Sequence, residues 1–267
     1  MSVRSTHIRQ PAVAGSFYPQ SEEPLIAMLN QLMAESLPTE ELTVCPKVLI
    51  APHAGYMYSG SIAASAYKLL NPYSHQISRV VLLGPSHRVP LQGIAIPDNS
   101  YFKTPLGTIA VDQPSIDKIR ELPSVKVSPH AHEYEHSLEV QLPFLQYALE
   151  EFDIVPLVVG QVPPETVSQV INQLWGDKET LFIVSTDLSH YQSYERAQSL
   201  DQHTTQAITS FATNITGDQA CGCNPLNGML HAASQHYLNA TVLDLRNSGD
   251  TAGSKDQVVG YGAYALF

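Results

Sequence analysis

The chain has 267 residues, 43% hydrophobic and 15% charged, and its 14 basic and 25 acidic residues give a formal net charge of -11. That length and apolar share suit a soluble α/β protein with a sizeable core and a surface drawn largely from Gln, Ser, Thr and Asn. The acidic balance and the lack of a Lys/Arg cluster argue against nucleic acid or an anionic membrane surface as partner, since both need a basic footprint.

Residues 1–10 carry no apolar signal core, and no run reaches membrane-spanning length. Three cysteines are too few for a disulfide scaffold, so the expected location is the cytoplasm, with thiols reduced and free to bind metal. Apolar runs predict strands over 47–51, 79–84, 92–97, 107–112, 152–159, 180–186, 241–247 and 258–267. Amphipathic patterns predict helices over 24–34, 61–70, 114–122, 137–149, 164–175, 194–211 and 225–237. Pro24, Pro114, Pro164 and Pro225 mark four of the helix starts, because the missing N–H costs nothing in a first turn.

Strand and helix alternate, and the runs VLIA, VVLLG and LFIVST lack polar alternation. Strands buried on both faces read that way, so a three-layer α/β/α sandwich with a largely parallel central sheet is expected. Residues 92–112 hold two strands without a helix between them and predict an antiparallel hairpin. No Pro/Gly/Ser linker divides the chain, which points to one domain over residues 1–267; a division near residue 120 is the alternative.

Four polar segments put histidine beside an apolar or amphipathic run. His53 follows KVLIAP and is trailed by Ala54-Gly55-Tyr56. His87 closes VVLLGPSH, where Gly84 and Pro85 make a sharp exit and Ser86 can orient the ring. Either could be a loop histidine satisfied by a carbonyl. Two on separate buried strands favour a paired role, because neutral imidazole is the commonest metal ligand. Asp187 and His190 follow LFIVST and can face one cleft as an acid–base pair, or else Asp187 caps a helix and His190 is superficial. Glu135-His136-Ser137-Leu138-Glu139 opens a predicted helix. His136 and Glu139 share a face there, and part of the acidity suits the helix dipole. Cys221-Gly222-Cys223 precedes a helix start, where a thiolate is favoured, although Cys-X-Cys alone is a weak motif.

Read together and in order, AVAGSFYP, APHAGYMYSG, LLGPSH, YFKTPLG, EHSLEVQLPF, STDLSHY, CGCNP and VVGYGAYALF resemble the Memo family over residues 11–267. The resemblance implies a fold similar to the class III extradiol (LigB-like) dioxygenases, which use non-haem iron. By motif, His53, His87 and Cys221 match the family's metal-site residues, and Asp187 and His190 its neighbouring pocket residues. The dioxygenases complete a two-His, one-carboxylate set with Glu, whereas Cys221 stands third here. A soft thiolate favours Fe(II), Cu(I) or Zn(II) and is open to oxidation.

Three functions follow as expectations. The first is a metal-dependent redox enzyme in which His190, oriented by Asp187, moves protons and His136 polarises substrate or oxygen, with Tyr56, Tyr58, Ser86, Glu139 and Cys223 at the pocket. The second is a non-catalytic copper or iron carrier. The third is a module binding a peptide or other small ligand. Microbial relatives tend to be encoded beside an AMMECR1-type protein and a radical-SAM protein, which the resemblance implies as partners.

Overall fold

The computed structural model describes residues 7–36 and 44–267. The first six residues, part of the stretch read above for a signal core, lie outside the described residues. In chain order the strands are β1 (Ile8–Arg9), β2 (Val48–Ala51), β3 (Arg79–Pro85), β4 (Ile94–Ile96), β5 (Tyr101–Thr104), β6 (Gly107–Ala110), β7 (Val125–Val127), β8 (Asp153–Val159), β9 (Thr180–Ser185), β10 (His190–Gln192), β11 (Ala240–Asn247) and β12 (Val258–Leu266). The α-helices are α1 (Glu22–Glu35), α2 (Tyr56–Tyr67), α3 (Gln113–Ile119), α4 (Pro129–Glu133), α5 (Leu142–Ala148), α6 (Pro164–Gln173), α7 (Tyr194–Thr209) and α8 (Cys223–Gln235). No helix among the described residues is long and apolar enough to cross a membrane.

The protein is a mixed α/β fold. The runs without alternation become the middle of the main sheet: β2, β9, β3 and β8 lie side by side in that order, all parallel. Leu49, Ile50, Val81, Leu82, Phe182 and Ile183 on them are completely buried, as both faces being covered requires. The flanks differ from the largely parallel sheet expected. β12 runs antiparallel to β2, β10 and β11 run antiparallel to β12, and β4 runs antiparallel to β8. β11 and β12 follow each other without an intervening α-helix, and such a connection yields antiparallel neighbours, whereas a parallel pair needs a long crossover. Strands from before and after residue 120 enter this one sheet.

Two further expectations need correction. Within 92–112 only β4 joins the main sheet. The hairpin is β5–β6, which with β1 forms a separate three-stranded sheet. β5 alternates exposed and buried, with Phe102 and Thr104 inward, a short pattern overlooked because YFKT is only half apolar. The helix expected over 137–149 is a 3-10 turn, Glu139–Gln141, followed by α5. Pro143 sits in α5's first turn, and the turn before it sends Glu139 and Gln141 into buried polar contacts.

Glu139 is fully buried and was expected at the pocket. It serves instead as an anchor for the N-terminal segment. Its carboxylate pairs with Arg9 Nη1 at 2.6 Å and accepts from the N–H groups of Ala12 (2.8 Å) and Val13 (3.0 Å) and the Tyr18 hydroxyl (2.6 Å). Arg9 gives its other donors to the carbonyls of His132 (2.6 Å) and Glu135 (2.7 Å). A buried charge pair holds only with such complete hydrogen bonding. The strap so fixed lays Phe17 over His136, ring centroids 4.8 Å apart.

At the opposite end of the sheet, before β2 and β9, lies a cavity of about 600 Å³ lined by Cys45, Lys47, Trp175 and His236 among others. Lys47 has no donor to spare for a ligand there: its ammonium already faces the carbonyls of Trp175, Asp177 and Thr180 at 2.7, 2.8 and 2.9 Å.

Candidate metal centre

The parallel register decides which residues meet. β9 lies between β2 and β3, with Ala51 opposite Ser185 and Leu83 opposite Val184. Two residues past β2 comes His53, two past β3 comes His87, and two past β9 comes Asp187. All three therefore emerge at the carboxyl ends of adjacent strands, where α/β sheets build their sites. His136 arrives from the turn ahead of α5. The ligand atoms of His53, His87 and His136 lie within 4.8 Å of one another, with ring centroids 4.7–5.5 Å apart.

The hydrogen-bond network assigns the tautomers. Tyr67 gives its hydroxyl proton to Gln141 Oε1 at 2.7 Å, so the Gln141 amide nitrogen faces Ser185 Oγ at 2.8 Å. Ser185 in turn gives its own proton to the Ser137 carbonyl at 2.6 Å. Its oxygen is then an acceptor for His53 Nδ1–H at 2.9 Å, which leaves the His53 Nε2 lone pair free. His87 is set the same way. Glu135 Oε1 lies 2.9 Å from His87 Nδ1, and Oε2 accepts the His87 backbone N–H at 2.6 Å. Burial alone would raise the Glu135 carboxyl, but the hydrogen bond and charge of His87 and the N–H groups of Ser137 and His87 bring it to about 2. Glu135 Oε1 also sits 3.4 Å from His136 Nδ1, yet that buried nitrogen makes no hydrogen bond.

Burial, and then the neighbouring His87 and His136, hold His53 well below the usual imidazole range. Burial first brings His136 to about 4. Both are neutral at pH 7. Imidazoles that converge, backed by a serine and a carboxylate on the far nitrogens, are the arrangement that metal-ligating histidines require. This donor set fits a transition-metal ion.

Cys221 approaches through His53, its Sγ 3.3 Å from Nε2. Its position depends on Gly222, where a Cβ would fall 2.7 Å from Thr186 Cβ and 2.8 Å from the Ser185 carbonyl, while the Gly222 N–H reaches Thr186 Oγ1 at 2.9 Å. The thiolate expected from a helix N-terminus is not favoured. Burial, then the Asp187 charge, push the thiol up to about 12. It is an S–H that can donate to His53 Nε2 while accepting from the Asp187 N–H at 3.3 Å. Cys223, the first residue of α8, contacts Asn224 Oδ1 at 3.9 Å and does not line the cleft; burial raises it too.

The centre forms one end of a cleft of about 790 Å³ whose lining includes His53, His87, His136, Asp187, His190 and Cys221, with Tyr58 among the aromatics. Asp187 and His190 share the cleft but not a bond. Asp187 Oδ1 accepts the His53 backbone N–H at 2.8 Å, and burial raises its carboxyl to about 6. His190 uses the Leu188 carbonyl, and burial lowers its imidazole. The carboxylate that orients a cleft histidine is Glu135, from a segment 48 residues after His87. Tyr56 is buried away from the cleft and gives its hydroxyl to the Val140 carbonyl at 2.7 Å. Ser86 gives its hydroxyl to the Val89 carbonyl at 2.6 Å.

Sequence reading missed Tyr191. β10 pairs with β12 through His190↔Val259 and Gln192↔Val258, and the register shifts between them. Tyr191 is the extra residue, with φ 56°, in the left-handed region that costs a tyrosine roughly 1–2 kcal/mol. The bulge lets His190 and Tyr191 both line the cleft, where a regular strand would send them to opposite faces.

The family model for "Memo-like protein" matches residues 9–265. A "MEMO1 family protein" of Aquifex aeolicus is 37% identical over 271 aligned residues, covering 95% of this chain and 97% of that one. Another "MEMO1 family protein", from Methanosarcina mazei, is 39% identical with 96% and 98% covered. Among solved structures, an "uncharacterized protein JW3007 from Escherichia coli K12" is similar with a TM-score of 0.53 over 80% of this chain and 98% of that chain, at 15% identity. At that identity the likeness concerns fold alone.

Proposed function

We propose a function from the premise that this chain belongs to the Memo-like family: it binds a transition metal through His53, His87 and His136, with Cys221 beside them, and uses it on a small organic substrate in the cleft. The observation that carries this reading is the convergence of three imidazole ligand atoms within 4.8 Å, two of them with the far nitrogen tied to Ser185 or Glu135. Fe(II) is the first candidate, with Cu(I) and Zn(II) as the others that imidazole and thiol favour. The reading includes a dioxygenase-like sandwich of one domain, supported by strands from both halves of the chain in one sheet.

When bound, the metal would supply a Lewis acid or a redox couple at the floor of the cleft. The chain's own residues supply the rest. His190 has a lowered pKa and is a neutral proton acceptor at pH 7. Asp187 fixes the backbone from which His53 projects. Phe17 packs against His136 and forms part of the cleft wall.

Anaerobic titration with Fe(II), Cu(I) and Zn(II), in wild type and in His53→Ala, His87→Ala and His136→Ala, tests the site. The reading fails if the three variants keep wild-type affinity for every ion. The Cys221 contact to His53 favours a second reading, a copper carrier, because thiol and imidazole together select Cu(I). A carrier would release Cu(I) to a competing chelator and show no His190-dependent O₂ consumption across catechols, phenols and thiols.

A further inference from the structure

The cleft has a different chemical character at its mouth than at its floor. Phe17, Tyr58, Tyr191 and Tyr261 line it, and its only acidic lining residues are Asp187 and Asp218. No Lys or Arg lines it among the described residues. Two nearby cations stay outside its lining. Arg88 lines an adjacent pocket with Val13, His130 and Tyr134, and Lys255 Nζ sits 4.5 Å from the centroid of the Tyr194 ring.

Tyr191 is 70% exposed on its bulge, while Tyr261 is 2% exposed. One phenol is thus open to solvent and one is packed into the wall. Tyr261 lines the same cleft as Tyr58, Asp187 and Tyr191, which groups these side chains around one volume. Asp218 is exposed and makes no ion pair among those found in the described residues. Aromatic faces carry negative charge density, and carboxylates add to it. Such a surface without a cation attracts positive groups and repels anions.

We propose that this mouth receives an organic ammonium group, held against Tyr58, Tyr191 and Tyr261 with Asp218 as counter-charge. The cleft's ligand is then a small amine or quaternary ammonium compound whose other end reaches the imidazole floor. The inference rests on reading this cleft as the substrate site, and not on which metal it holds. The two ends are complementary: a metal on the floor is positive and takes an electron-pair donor, while the mouth takes the cation. The bulge at Tyr191 gains a purpose here, since a regular strand would turn this side chain out of the cleft.

Choline is the probe, because its quaternary nitrogen cannot itself ligate a metal, and 3,3-dimethylbutan-1-ol is its neutral isostere. Calorimetric titration of the full chain, with and without Zn(II), is expected to show choline binding more tightly than the isostere. Tyr191→Ala should weaken choline by about 2- to 30-fold, Tyr191→Phe should retain it, and Asp218→Asn should weaken it and reduce its salt dependence. Zn(II) affinity, measured in a separate titration, should stay at the wild-type value in all three variants, so loss of the metal site and loss of the ammonium site read out independently. Equal affinity for choline and its isostere, tighter binding of butyrate than of choline, or no saturable choline binding overturns the proposal.

Discussion

Replacing Glu135 with glutamine tests whether the carboxylate behind His87 sets the metal centre. Glu135 Oε1 accepts from His87 Nδ1 (2.9 Å) and Ser137 N (2.9 Å), and Oε2 accepts the His87 backbone N–H (2.6 Å). The amide oxygen of the substituted side chain can keep the first pair, but its NH₂ then faces the His87 backbone N–H, donor against donor. One buried donor left unsatisfied costs about 1–3 kcal/mol of stability. The larger effect is on ligation, because an amide holds the imidazole N–H less strongly than a carboxylate. Removing such a backing group weakens metal binding by roughly 10- to 100-fold, or about 1.4–2.7 kcal/mol. Glu139→Gln is the control. It leaves the Arg9 charge buried and should destabilise by about 3–5 kcal/mol, yet it touches none of the three imidazoles. Anaerobic calorimetry with Zn(II), at a temperature where urea curves show both variants folded, should find affinity lost in Glu135→Gln and kept in Glu139→Gln. Wild-type affinity in folded Glu135→Gln, or equal losses in both variants, would refute the argument.

Cys221→Ser should weaken Cu(I) more than Zn(II), and Cys223→Ser and Cys45→Ser should do neither; equal Cu(I) affinity in Cys221→Ser removes the thiol from the centre. His190→Ala should retain metal content and lose most turnover, since a positioned acid or base contributes about 10²–10⁴-fold; unchanged O₂ consumption by the iron-loaded variant excludes His190 as proton carrier. His132 is buried with Nε2 on the Ala95 carbonyl at 3.0 Å, and burial lowers it to about 4. Its folded value lies below its unfolded one, so stability is intact above about pH 6.5 and falls as pH drops toward 4, by on the order of 3 kcal/mol. His132→Gln can still donate to Ala95 and does not titrate, so urea midpoints should depend less on pH between about 7 and 4.5; an unchanged slope refutes this.

The sheet's centre was legible because both-face burial leaves VLIA, VVLLG and LFIVS with no polar alternation. The flanks were not, because β4 and β10 are three residues each and carry no period to read. In the site, strand-end position marked His53, His87 and Asp187, which parallel register then brought together. The Asp187–His190 spacing misled, since the intervening backbone leaves the strand and the two side chains find different partners. The Glu135–His87 contact joins residues far apart in sequence, and no local pattern encodes such a pair. Helix-terminus reasoning predicted a thiolate at Cys221, where desolvation prevails over the dipole. Glu139 and Tyr56 looked like pocket residues only because conspicuous polar side chains beside a site are also what anchors its walls.

β12 follows every other described strand in the chain, yet it lies inside the sheet, between β11 and β2. During synthesis, His53, His87, His136 and Cys221 all leave the ribosome before it does. Until β12 arrives, β2 keeps one row of unpaired N–H and C=O groups. The segment before β10 lacks the Gly260 backbone that accepts Leu188 N–H and donates to the Ser189 carbonyl, each at 2.8 Å. A nascent chain would therefore carry the imidazoles without the wall that bears His190, beside an open edge that templates pairing with other chains. Interrupted translation ahead of Val258 would yield aggregates rather than a weaker version of the folded protein.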